Sequence, residues 1–377
     1  MIETPGLIVT VLAFVAVIGP LVFVHEFGHY IVGLWCGVKA ETFSIGFGKE
    51  LAAWVDKRGT RWRLGLLPLG GYVKFKGDMN AASQTDPAWL QMPAAERAQS
   101  FPGKPVWQRA AIVFAGPAIN FLFALLIMAG FAVAYGENVT PPVASKVVEK
   151  SAAATAGIHP GDRIVSIDGR QIERFEQLTQ SVFHRPGEAA SITLERAGDT
   201  LVLPVTIGVR TEVDRFGNKY RFGMLGVQSG PSVQRSVSLL DAPRVAVSRT
   251  GSILRMMVET LGQMVTGRRP LDELGGPLKM AQLSGEQADR GVQDFIFFMA
   301  LISINLGFIN LLPIPMLDGG HLLFYAIEAV QRRPVSAQVQ EWAYRSGLAV
   351  LLTVMVFVTF NDLSSFGLWK SLSGLIG

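Results

Sequence analysis

Four stretches of this chain stay apolar long enough to cross a bilayer. Residues 5–38 hold His25, Glu26 and His29 as their only acidic or basic side chains, and residues 110–136 hold none. Each exceeds the roughly 20 residues that span hydrocarbon. A third apolar run covers residues 295 to about 312, and a shorter fourth covers 347 to about 360. Four crossings put both termini on one side. Between the second and third runs, polar and apolar residues mix as in a water-soluble domain. In the loop after the first run, three alternating segments at 42–47, 62–67 and 72–75, separated by glycine and proline turns, predict short strands. The whole pattern predicts an α-helical polytopic membrane protein with four transmembrane helices, a membrane-associated β-loop and an inserted α+β domain. Its expected divisions are 1–38 (first span), 39–107 (loop), 108–136 (second span), 137–212 (insert), 213–292 (connection), 293–328 (third span), 329–344 (loop) and 345–377 (fourth span and tail).

Lys and Arg decide the expected orientation. The first loop holds Lys39, Lys49, Lys57, Arg58, Arg61, Arg63, Lys74, Lys76, Arg97 and Lys104, and the last holds Arg332 and Arg333. Both loops are expected in the cytoplasm, with the termini and the insert outside. The start, Met1 to Gly6, lacks the basic n-region of a cleaved signal peptide, so the first span is expected to be retained.

Within the insert, the turn Gly157-Ile158-His159-Pro160-Gly161 leads through Arg163-Ile164-Val165-Ser166-Ile167 into an Asp168-Gly169 turn. This resembles a single PDZ domain. The resemblance implies a helix near 175–183, strands at 190–195 and 200–207, and a groove where a peptide tail could add as a strand. Residues 241–264 mix apolar and basic side chains, among them Ile253, Leu254, Met256, Met257 and Val258. They predict a helix that lies on the membrane surface or packs as a linker on the insert. His159 and His184 are expected to face solvent.

Composition adds exclusions. Of 377 residues, 17% are charged and 49% hydrophobic, with mean hydropathy +0.34; soluble domains carry about 25% charged residues, which argues against a soluble enzyme. A net charge of +4, dispersed along the chain, excludes a nucleic-acid binder. The single Cys36 excludes an internal disulfide and a cysteine-rich metal cluster, and reads as apolar filler at a helix end.

An ionised side chain at mid-membrane costs about 2.5–3.5 kcal/mol on insertion scales, so such groups face the protein interior and have partners. Here His25-Glu26-Phe27-Gly28-His29 is H-E-x-x-H on a predicted helix. The two imidazoles stand one turn apart on one face, able to grip a zinc ion, while Glu26 projects beside them and can take a proton from water. A catalytic zinc usually has three protein ligands. The stretch from Asn310 to His321 contains Pro313, Pro315, Gly319 and Gly320, which break a helix. Irregular backbone at membrane depth is tolerated only where protein buries it or it lines a cavity. Asp318 in that stretch is the natural third ligand; His321 ranks second and reads as a supporting group.

These motifs resemble the site-2 protease family of intramembrane zinc metalloproteases, and more narrowly its bacterial RseP-like branch, the regulators of sigma-E. The residues that carry the likeness are H-E-F-G-H in the first span, N-x-x-P-x-P-x-x-D-G from Asn310 to Gly319, and the PDZ-like insert between spans two and three. Supporting stretches are Phe43 to Gly48, Pro68 to Lys74, Ala115 to Asn120, and Gly275-Gly276-Pro277. The likeness covers nearly the whole chain. It implies that His25, His29 and Asp318 bind Zn²⁺, that Glu26 activates water, and that Asn310 holds substrate or stabilises the tetrahedral intermediate. It also implies a re-entrant β-loop with Gly46, Phe47 and Gly48 near the substrate path, offering backbone for strand addition.

The activity implied is hydrolysis of peptide bonds inside single-span membrane proteins, anti-sigma factors and remnant signal peptides, in regulated intramembrane proteolysis. The setting implied is the bacterial inner membrane, with the site near the cytoplasmic side and the PDZ side screening out bulky outer domains. The best-known enterobacterial member has tandem PDZ domains, whereas this chain shows one. Two other readings compete. One is a PDZ scaffold or receptor with a structural zinc; the other is a transporter with broken spans, which lacks the expected inverted repeats.

Overall fold

The computed structural model describes residues 6–78, 89, 91–183, 185–213, 219–267 and 275–365. It divides into two compact units, Met1–Gly130 with Pro243–Gly377, and Phe131–Ala242. His184 lies outside the described residues, and His159 is exposed.

The first unit begins with helix α1 (Leu7–Trp35), strands β1 (Ala40–Val55) and β2 (Arg61–Phe75), the single turn α2 (Ala94–Arg97), and most of helix α3 (Val106–Tyr135). It resumes with α6 (Ala242–Val265), α7 (Pro277–Arg290), α8 (Val292–Asn310), α9 (Asp318–Gln331) and α10 (Ala337–Ser365). Among the described residues four helices are long and apolar enough to cross a membrane: Leu7–Trp35, Val106–Tyr135, Val292–Asn310 and Gln338–Ser364. Their outward side chains, such as Leu7, Leu12, Leu126 and Val356, are exposed, an arrangement that lipid would cover.

The expected third span is two helices. Pro313 and Pro315 supply no backbone N–H to continue a helix, and α8 stops at Asn310 before α9 starts at Asp318. Met316 in the break has φ 85°, a conformation that costs a side-chain-bearing residue energy and is stored mainly at functional sites. The fourth helix runs beyond the apolar stretch 347–360 at both ends, and its added first turns carry an exposed Glu341–Arg345 pair one turn apart.

α6 settles on the bundle. Its Ala246, Ile253, Leu254 and Met257 pack with Ala124 and Met128 of α3 and Ala300 and Ile304 of α8. Its apolar side thus serves helix packing. α7 is held by its start: the buried Asp362 of α10 accepts from the N–H groups of Gly276 and Lys279, both at 3.0 Å. A carboxylate there satisfies donors that a helix N-terminus leaves unpaired.

β1 and β2 pair in more than one register. Residues 40–45 lie against 71–75, residues 50–55 against 61–65, and 42–45 also run beside 61–64. Phe43 and Trp62 stack at 4.3 Å between ring centroids, and Phe43 joins Tyr30, Val73, Phe75 and Ile112 in a buried core that ties the sheet to α1 and α3.

The second unit carries β3 (Glu137–Val139), β4 (Ala144–Val147), α4 (Ala152–Thr155), β5 (Arg163–Ile167), β6 (Arg170–Gln171), α5 (Phe175–Phe183), β7 (Ala189–Arg196) and β8 (Asp199–Thr206). It ends with β9 (Gly208–Val213), β10 (Lys219–Met224), β11 (Val227–Ser229) and β12 (Val233–Arg235). A four-stranded sheet in the order β6-β5-β7-β8 packs Ile164, Ile167, Ile192 and Leu194 against Leu178 and Val182 of α5. Under it the buried Asp162 accepts two bonds from Arg196, at 2.8 and 2.7 Å. Those bonds hold its carboxyl below the usual carboxylate range. A depressed folded-state pKa gives stability that is complete above the unfolded value of about 3.9 and is lost as pH falls through the folded one. In the full-length protein, amide exchange in 189–206 is thus expected to accelerate below about pH 4. Asp162→Asn should raise exchange there already at neutral pH, equivalent to about 1–3 kcal/mol, and flatten the acid dependence.

Candidate metal centre

His25 and His29 point the same way from α1 because they are one turn apart. Both are buried. The helix opposite makes room for them: a methyl group on Gly116 of α3 would lie 2.3 Å from His29 Nε2 and 3.0 Å from His25 Cε1.

Each ring is oriented through its Nδ1. His29 Nδ1–H donates to the Ile112 carbonyl at 2.9 Å. His25 Nδ1 lies 3.0 Å from the side-chain amide nitrogen of Asn120, while Asn120 Oδ1 is buried without a hydrogen-bond partner. Turning that amide over exchanges two groups of nearly equal shape. Nδ1–H then donates to Oδ1, and the amide nitrogen takes the place where Oδ1 had no partner. In that state both Nε2 atoms carry a lone pair and no proton.

These two lone pairs meet a carboxylate. His25 Nε2 and His29 Nε2 are 3.3 Å apart, and Asp318 Oδ2 stands 3.2 and 3.5 Å from them. Oδ2 is buried and makes no hydrogen bond. In that tautomer three electron-pair donors face one another and repel unless a cation sits among them. A tetrahedral ion with bonds of about 2.0–2.1 Å sets its ligands about 3.3 Å apart, so the three side chains fit such an ion as they stand.

Glu26 is outside this trio. It is buried at the next position of α1, and its carboxylate is within electrostatic reach of His25, His29 and Asp318. The sheet comes up against it: a methyl group on Gly71 would lie 2.8 Å from Glu26 Cγ. Gly71 pairs with Ile45, which brings the neighbouring Gly46, Phe47 and Gly48 to this end of the sheet. Phe47 is 41% exposed and stacks on Tyr72; the Gly48 carbonyl accepts from Arg63 at 3.0 Å. Asn310 ends α8 half-buried, separated from Asp318 by the 311–317 break. His321 is also outside the trio; its Nδ1 is 3.1 Å from the Tyr344 hydroxyl.

The sequence profile of peptidase family M50 matches residues 13–354. The chain belongs to peptidase family M50. This is the site-2 protease family that the motifs resemble. An Agrobacterium fabrum protein named as a zinc metalloprotease is 48% identical over 361 residues, 94% of this chain and 96% of its own. A Mesorhizobium japonicum protein of the same description is 42% identical over 94% of this chain and 98% of its own. The metalloprotease MmpA of Caulobacter vibrioides is 37% identical over 98% of this chain and 99% of its own. Among solved structures, the PDZ domain of an SdrC-like protein from Listeria monocytogenes covers 25% of this chain and 88% of its own at 18% identity. Its TM-score of 0.19 carries no structural argument.

For an M50 metalloprotease, two residues that motif reading passed over matter. Asn120 was visible only as the end of a family-like stretch, and Ile112 acts through a carbonyl that no side-chain pattern reveals. Removing the acceptor with Asn120→Leu is expected to lower divalent-metal affinity about 10–100-fold, the usual cost of a lost partner behind a ligand. Asn120→Asp, which keeps an acceptor, should cost less. Competition against a chelating dye measures both.

Proposed function

We propose that this M50 protein is a zinc-dependent endopeptidase that cuts within the spanning segments of single-pass membrane proteins. The observation that supports the reading most is the convergence of two imidazole nitrogens and a carboxylate oxygen within 3.5 Å of one another beside a buried glutamate, on a helix apolar enough to cross a bilayer. A zinc ion held by His25, His29 and Asp318 would supply Lewis acidity toward water and the scissile carbonyl. Glu26 accepts the proton of the attacking water and returns it to the leaving amine. Asn310 is the group we assign to the substrate carbonyl or to the developing oxyanion. Gly46, Phe47 and Gly48 offer backbone and an exposed ring for an extended segment to add as a strand.

A substrate helix keeps its amides bonded and its carbonyls shielded, so it has to unwind before it is cut. The substrates we assign are anti-sigma-factor-like proteins and remnant signal peptides, at a bacterial inner membrane, with the centre toward the cytoplasm and the insert outside. There the PDZ-like insert screens out untrimmed outer domains or takes a peptide tail. The test is cleavage of a single-span reporter in defined lipid. Cleavage should stop on chelation and return with zinc, and replacing a Gly or Pro in the reporter span by Leu should slow it. Full activity after exhaustive chelation would refute the reading, and zinc-loaded protein that cuts nothing would favour a non-catalytic scaffold with a structural zinc.

A further inference from the structure

The residues that orient the metal centre lie on one face of α3. Ile112 holds His29, Gly116 makes room for both rings and Asn120 holds His25. Positions 112, 116 and 120 are separated by four and four, and Arg109 precedes them by three, so all four fall on one stripe of the helix. Arg109 donates to Glu328 of α9 at 2.6 Å and, through Nε, to the Lys104 carbonyl at 3.1 Å. Its guanidinium also lies over the Tyr325 ring, 4.9 Å from the centroid.

α9 has a matching stripe. Asp318, Tyr325 and Glu328 are spaced seven and three apart, again on one face. Asp318 opens the helix, and Glu328 lies ten residues further, about 15 Å along the axis at 1.5 Å per residue. Rotating α9 enough to part Glu328 from Arg109 turns Asp318 away from the two imidazoles.

The ion pair is mostly buried, with 17% and 15% of the two side chains exposed. Such pairs add little net stability, because desolvation offsets attraction; their best-attested use is to fix a register. Apolar packing of Leu322 and Tyr325 near Ile112 and Val113 also joins the helices, and the ion pair adds a directional contact to it.

We propose that Arg109 is a positioning residue: through Glu328 it sets the rotation of α9, and so delivers the Asp318 carboxylate to a metal centre whose imidazoles are set by the same face of α3. This rests on the metal-centre reading above.

The test uses full-length protein in detergent, with Zn²⁺ affinity measured by competition against a chelating dye. Glu328→Gln keeps the shape and removes the charge; Arg109→Lys keeps the charge and loses the flat, forked donor. Each is expected to weaken zinc binding about 10–100-fold and to lower kcat at saturating zinc with KM unchanged. The unfolding temperature of the zinc-free protein should fall in Glu328→Gln, because the substitution leaves the Arg109 charge buried and unpaired; a contact that only held the fold would leave zinc affinity and kcat unchanged in protein still folded at the assay temperature. The exchanged pair, Arg109→Glu with Glu328→Arg, should recover part of the affinity. If either single variant is monodisperse and binds zinc as tightly as wild type, the proposal is wrong. If both single variants aggregate, the exchanged pair decides: monodisperse protein with affinity nearer wild type supports positioning, and failure to fold overturns it in favour of a structural role. Wild-type protein that binds no zinc would instead refute the metal-centre reading itself.

Discussion

Glu26→Gln is expected to leave the protein folded and metal-bound while lowering cleavage about 10²–10⁴-fold, the usual worth of a positioned general acid–base. The amide has the shape of the carboxylate and stays uncharged in a site that is 8% exposed, so burial favours the substitution. Metal content should not change, because Glu26 contributes no atom to the trio of His25, His29 and Asp318. What the amide cannot do is accept a proton. Single-turnover cleavage of a membrane reporter, with zinc quantified in the same preparation, separates the two effects. A variant that cuts within a factor of about 10 of wild type, below the general acid–base range, would remove Glu26 from the chemistry.

Asp318→Ala should behave in the opposite way, losing the metal and, through it, the activity. It removes the only anionic ligand of the trio and the one that arrives from a different helix. What remains is two imidazoles whose Nε2 atoms lie 3.3 Å apart. Affinity should fall by more than the roughly 10–100-fold that follows loss of a group behind a ligand. Added zinc should restore Asp318→Asn, which keeps an oxygen at the site, further than it restores Asp318→Ala. Metal analysis after dialysis, followed by zinc titration of the cleavage rate, checks this. Stoichiometric zinc in dialysed Asp318→Ala would place the third ligand elsewhere.

Much of this centre is legible in the sequence because its signals are local. H-E-x-x-H places two rings on one face through helix periodicity alone. Two prolines and two glycines around Asp318 mark a break where an apolar run would otherwise continue. The features that sequence hides are those set by distant partners. Asp362 accepts from a helix start 86 positions earlier, and Arg109 meets a carboxylate 219 positions away. The β1 and β2 segments read as separate strands, yet they are two long strands paired in several registers, which only the folded sheet decides. The mixture of basic and apolar residues in α6 fits several environments. Of the residues singled out there, Ile253, Leu254 and Met257 pack on the bundle, together with Ala246.

The absence of a side chain at Gly71 has a mechanical meaning. Strand and glutamate are so close there that even a methyl group would lie 2.8 Å from Glu26 Cγ. Any larger residue at this position would have to push the stem of the carboxylate aside, so the aim of Glu26 depends on a strand outside its own helix staying bare.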